Sequence, residues 1–186
     1  MQLVDAGTAN HLWAERFEKP VADLFDMQDE VVSRLANTLN TELIEAEARR
    51  AERSPHPDAM DLYFQGKVWL NKGPSPEHLI QARGFFERAL AIDPRNVEAL
   101  VGTVQVDASM GASVLTEDRI MYLTRAEKTL GEVLFTTPQH AFAHAVMGLV
   151  QIAANRAAQG IAECERALAL DRNLAHAHGF IGLAKT

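Results

Sequence analysis

Ala82-Arg83-Gly84-Phe85-Phe86-Glu87-Arg88-Ala89-Leu90-Ala91-Ile92-Asp93-Pro94-Arg95-Asn96 returns near the end of the chain as Gly160-Ile161-Ala162-Glu163-Cys164-Glu165-Arg166-Ala167-Leu168-Ala169-Leu170-Asp171-Arg172-Asn173. A helix that recurs together with its terminator marks an internal repeat. Each copy is a supersecondary unit that cannot bury its own apolar face and must stack on neighbours. Function is therefore expected to reside in a binding surface.

The spacing predicts three units, 59–96, 97–140 and 141–174, with a partial fourth at 175–186. Asp58 is a good N-cap for the first helix of unit one; Ser75 and Pro76 restart its second. Unit three has 34 residues; unit one holds four more and unit two ten more, expected in the turns between helices, around Gly111 to Asp118 in unit two, where Thr116 can cap the next helix. Upstream, Leu24, Met27, Val31, Leu35, Leu39 and Leu43 recur at three- and four-residue spacing, predicting an amphipathic linker helix within 21–58. Unbroken from Val21 to Arg53, it would run roughly 50 Å, with a bend near Asn37 to Thr41. Ser54-Pro55-His56-Pro57 stops it. Gln2–Ala6 and His11–Phe17 flank Gly7-Thr8-Ala9-Asn10, the turn chemistry of a β-hairpin within 1–20. The fold class is all-α in the main, a helix-turn-helix solenoid with a short hairpin at its start.

Composition narrows the function classes. The 186 residues are 47% hydrophobic with a formal net charge of -7. Residues 1–58 carry 12 acids against 6 bases, and the remainder 13 against 12, so the acidity belongs to the N-terminal segment. No basic cluster offers the footprint of a nucleic-acid binder. The single Cys164 excludes an internal disulfide and is expected to be a buried small hydrophobe. No run approaches the roughly 18 apolar residues of a membrane span, and Met1-Gln2-Leu3-Val4-Asp5 lacks the features of a signal peptide, which predicts a soluble, cytoplasmic chain. Periplasmic placement would require a membrane span upstream. A unit that stops inside itself after 175 and a start directly on a strand predict a piece of a longer protein.

Three units of helix pairs with small residues at fixed offsets resemble the tetratricopeptide repeat, and the third unit has its 34-residue length. The matching residues are Leu62, Gly66, Trp69, Ala82, Phe86, Ala89 and Pro94 in unit one. Unit two matches at Leu100, Val104, Ala126, Leu130, Val133 and Pro138, and unit three at His144, Met147, Gly148, Gly160, Cys164 and Ala167. Gly or Ala at Gly66, Ala82 and Ala89 lets antiparallel helices approach closely. Val104 and Val133 stand where the family prefers smaller residues, so unit two is expected to pack more loosely. Arg172 replaces a terminating proline, although Asp171-Arg172-Asn173 can break the helix through polar side chains.

The N-terminal words Gln2-Leu3-Val4-Asp5-Ala6, His11-Leu12-Trp13-Ala14-Glu15-Arg16-Phe17 and Asp23-Leu24-Phe25-Asp26-Met27-Gln28-Asp29-Glu30 resemble the tail of a TolB-like domain. That resemblance implies a multidomain bacterial protein headed by a class III adenylate/guanylate cyclase or by a winged-helix DNA-binding domain. The wording is most similar to the cyclase-associated group of α-proteobacteria.

His140 and His144, with His176 and His178, sit at spacings that could hold a metal, but no Cys or carboxylate completes a ligand set. Asp29-Glu30 and Glu42, Glu45 and Glu47 read as the solvated face of a helix. No cofactor, no metal and no catalysis is expected of this piece. The resemblance instead implies a concave groove lined by the first helices: Met60, Tyr63, Lys67 and Leu70; then Glu98, Val101 and Gln105; then Phe142, Ala145, Leu149 and Ile152; then His176. The expected partner is a protein or peptide, extended or helical, unless the N-terminal helix folded back, or a last helix beyond the partial fourth unit, covers these residues itself. Orphan strands, an acidic helix and an uncapped solenoid also predict a homodimer, with the N-terminal segment exchanged.

Overall fold

The computed structural model describes residues 2–4, 11–14, 24–112 and 118–185. The chain divides between Leu43 and Ile44 into two compact units, the second holding everything from Ile44 onward.

In the first unit, β1 (Gln2–Val4) pairs antiparallel with β2 (His11–Ala14), Leu3 opposite Trp13, and the register shifts between Leu3 and Val4. The turn words Gly7 to Asn10 lie outside the described residues. Helix α1 (Leu24–Glu52) begins in this unit and ends in the other. Its hydrogen bonding runs unbroken through Asn37–Thr41, where a bend was expected. There Thr38 and Thr41 hydroxyls donate back to the carbonyls of Arg34 and Asn37, at 3.0 and 3.1 Å.

The second unit is built of helix pairs. They are α2 (Ala59–Asn71) with α3 (Pro76–Ile92), α4 (Val97–Ala112) with α5 (Arg119–Thr136), and α6 (Ala141–Ala153) with α7 (Ala157–Leu170), followed by α8 (Ala175–Ala184). Each helix packs on the next, and α2, α4, α6 and α8 also touch in series, whereas α3, α5 and α7 make no comparable contacts with one another among the described residues. The first helices thus form an inner row and the second helices an outer one, a helical solenoid.

Local chemistry explains the starts and stops. Asp58 and Asp61 form a reciprocal capping box, Asp61 N–H donating to Asp58 Oδ1 at 2.8 Å and Asp58 N–H to Asp61 Oδ2 at 3.1 Å. Ser75 Oγ accepts from His78 N–H, and Pro76 opens α3. Asn96 caps α4 by accepting from Ala99 N–H at 2.9 Å. After α3, Asp93 Oδ1 accepts from Arg95 N–H. After α7, Asp171 Oδ1 accepts from Asn173 N–H at 3.0 Å, so the same Asx turn ends the helix with or without a proline.

The additional residues of units one and two do not all sit in turns. Helix α3 has 17 residues against 14 in α7, which takes up three of the four extra in unit one. Helices α4 and α5, with 16 and 18 residues, likewise exceed the 13 and 14 of α6 and α7. Apolar positions continue the helical period through the insertions, so the helices lengthen. Thr116 lies outside the described residues.

Helix approach is set by knobs over small residues. Phe86, fully buried, lies where a Cβ on Gly66 would meet its ring at 2.5 Å and one on Gly102 at 2.8 Å. Cys164 occupies the corresponding place over Gly148 and is fully buried, as expected. The looseness expected of unit two is absent from its core: Val104 and Val133 are 1% and 3% exposed, packed with Leu130, Val146 and Val150 in the largest core cluster. Dispersion contacts from the larger side chains fill the space that smaller ones would leave.

Candidate ligand groove on the first-helix row

The twelve residues assigned to the groove lie on α2, α4, α6 and α8, and the structure joins six of them. Lys67 is 7% exposed; its Nζ donates to Gln105 Oε1 at 3.3 Å and stands 4.6 Å from the centroid of the Phe142 ring. Phe142 in turn meets His176 edge-on at 5.2 Å, and His176 lies 6.2 Å from Phe180. Side chains from all four first helices are thereby linked across the inner face. Tyr63 packs between Phe64 and Phe86, ring centroids at 5.3 and 6.1 Å.

Burial dominates the electrostatics. It lowers the Lys67 ammonium to about 8, against which the nearby Glu98 carboxylate acts in part. Burial, then the charge of Glu98, pushes the Tyr63 phenol well above its ordinary value. Glu98 is held below the usual carboxylate range, chiefly by its hydrogen bond from His140 Nε2 at 3.1 Å. Desolvation against the neighbouring rings, then the Lys67 charge, lowers His176. An apolar wall with one buried amine, one carboxylate and two amide or phenol groups suits a ligand with a polar backbone and apolar side chains.

The remaining groove assignments fall elsewhere. Val101 and Leu149, 1% and 8% exposed, belong to the main core, and Ala145, fully buried, packs with Cys164, Ala167 and Ala177. These three lie in the packed core. Leu70 packs against Leu79, Ala82, Phe86 and Val106. The Met60 sulfur accepts from Asn96 Nδ2 at 3.6 Å at the edge of α2, and Ile152 is directed at Gly160 of α7.

His140, first considered as a metal ligand, is a component the groove assignment missed. Its Nδ1 accepts from Ala143 N–H at 3.1 Å as the N-cap of α6, so the neutral ring carries its proton on Nε2, toward Glu98. Its place two residues after Pro138 was the available signal. His144 bonds Glu163 Oε2 through Nδ1 at 2.7 Å and the Pro138 carbonyl through Nε2 at 3.0 Å. Among the described residues, no three His, Cys, Asp or Glu side chains gather as a metal ion would require. A separate cleft of about 440 Å³ opens beside the α3–α4 turn, with Pro94, Val97, Leu100 and Val133 in its wall. No helix of the described residues is long and apolar enough to cross a membrane.

No family model matches the chain. It is similar to a protein named "Putative adenylate cyclase 3" from Rhizobium meliloti (strain 1021), 31% identical over 118 residues, which cover 62% of this chain and 19% of that protein. The chain thus spans about a fifth of the length of the relative it matches.

Proposed function

We propose that this chain is a non-catalytic, tetratricopeptide-type interaction segment of a cytoplasmic, cyclase-associated signalling protein. It binds a protein or peptide along its first-helix row and self-associates as a homodimer. The observation that carries the reading is the inner face itself, where Tyr63, Lys67, Glu98, Gln105, Phe142 and His176 come from four stacked first helices. Similarity to a cyclase-named protein favours this reading over the effector region of a transcriptional regulator. A TolB-like module ahead of the repeats remains part of the proposal. An extended peptide would place apolar side chains against Phe142 and Tyr63 and give its backbone to Gln105 and Glu98.

The test has two arms. Incubated with ATP and Mn²⁺, the purified chain should form no cyclic nucleotide. A peptide selected from a random library should bind at least tenfold more weakly to Phe142→Ala and Tyr63→Ala variants that keep the wild-type circular dichroism. Cyclic nucleotide formation, or binding indifferent to both substitutions, would overturn the proposal.

A further inference from the structure

One position between the first and second helices is occupied differently in each unit. Unit one puts Phe85 there, in one cluster with Leu62; unit three puts Glu163, bonded to His144 at 2.7 Å. In register, unit two has Thr129 opposite Leu100, and both line the cleft of about 440 Å³ beside the α3–α4 turn. Threonine is the shortest of the three side chains, and the space it does not fill stays open. Pro94, Val97 and Val133 complete an apolar lining, and the volume falls in the range that receives a ligand group.

The same end of α5 carries what such a cleft would take. Phe135, next to Thr136 of the cleft wall, is 89% exposed, the most exposed large apolar side chain among the described residues. Glu132, three residues earlier and so its neighbour on the helix surface, lines the cleft. Arg95 lines it from the α3–α4 turn, where the bond from its N–H to Asp93 Oδ1 pins the backbone. Among the described residues neither Glu132 nor Arg95 takes part in an ion pair. One patch of one chain thus holds a ring and a space for a ring, an anion and a cation.

We infer that this patch is the contact between two copies of the chain: Phe135 of each enters the cleft of the other, and Glu132 of each meets Arg95 of the other. The inference rests on the homodimer proposed above and gives it a contact away from the N-terminal segment. Knob and cleft lie within a turn of each other on α5, so a twofold axis satisfies both at once and closes the pair; widely separated ones would build a filament. Because Glu132 and Phe135 are surface neighbours, the entering ring brings the carboxylate to the rim where Arg95 stands. The duplicated charge pair fixes how the copies face each other, and the buried ring supplies the affinity.

Sedimentation equilibrium of the full chain over a range of concentrations tests it. The wild type is expected to follow a monomer–dimer equilibrium. Phe135→Glu should weaken the dimer about tenfold or more, and so should Thr129→Phe, which fills the cleft from within with the residue type unit one carries there. Arg95→Glu and Glu132→Arg should each weaken it about fivefold or more, since the twofold repeats every contact, and the double variant should recover to within about threefold of the wild type. Phe135, Arg95 and Glu132 are exposed, so their variants should keep the fold, checked by circular dichroism and thermal melting. A wild-type chain that stays monomeric at every concentration would remove the homodimer and the inference together. A dimer unmoved by Phe135→Glu or by Thr129→Phe, a double variant no better than the single ones, or growth beyond a dimer would overturn the inference alone.

Discussion

Lys67 spends folding energy that its surroundings only partly return, and the sign of that imbalance is measurable. Its folded-state value of about 8 lies below the ordinary 10.5, so between these values the unfolded chain binds more protons than the folded one. Stability contributed through Lys67 therefore rises as pH increases through that window. Relative to a Lys67→Met variant, the wild type should gain up to about 3 kcal/mol from pH 7.5 to 10.5 in urea titrations. The variant comparison is needed because Cys164, raised to about 11 by burial, acts in the opposite direction above its ordinary value of 9.0. Two glycines give a paired test of knob packing. Gly66→Ala should lose about 1–3 kcal/mol to collision with the Phe86 ring, whereas Gly131→Ala, with nothing within 4 Å, should gain about 0.5–1 kcal/mol of helix propensity. At this scale, the burial of Cys164 was legible from its apolar neighbours. The depth of Val101, Ala145 and Leu149 was not, because a register names the helix a residue sits on while the packing of two adjacent helices decides which of its sides is covered.

Helices are held to one another by features of unequal legibility. The pairing followed from apolar periodicity and from Asp58, Ser75, Pro94 and Pro138, each acting within a turn of its own position. The link among α3, α4 and α5 acts over longer range. Asp107, 3% exposed, accepts from Arg83 on α3 and from Arg125 on α5, the Arg125 Nε–Oδ2 bond being 2.7 Å. Nothing local announces that triad, since each partner alone reads as a surface charge. Asp107→Asn should cost about 2 kcal/mol, because a buried acceptor loses its charge while two guanidinium groups lose their partner; equal urea midpoints for the two proteins would contradict the assignment. The end of α1 also belongs with the repeats. Ala48 and Ala51 are 5% and 2% exposed, and Arg50 pairs with Asp61 of the α2 capping box at 3.0 Å. Ala51→Glu should therefore destabilise residues 44–186 by about 2–4 kcal/mol, and a truncation that tests the groove should cut after Leu43 and leave this segment in place.

For the molecule as a whole, the solenoid was legible because a repeat is a statement about neighbours: a helix pair that recurs must stack. The ligand of the proposed groove was not, because its lining residues lie more than a hundred positions apart, Tyr63 to His176, and their meeting depends on how successive units turn. Self-association is an independent expectation, and light scattering that gave a monomer at high concentration would remove it. The most direct test of the central claim is amide hydrogen exchange of the chain with and without a library-selected peptide. Protection confined to α2, α4, α6 and α8 is the predicted result; protection of α3, α5 and α7 instead, or none at saturating peptide, would contradict a binding face on the first-helix row.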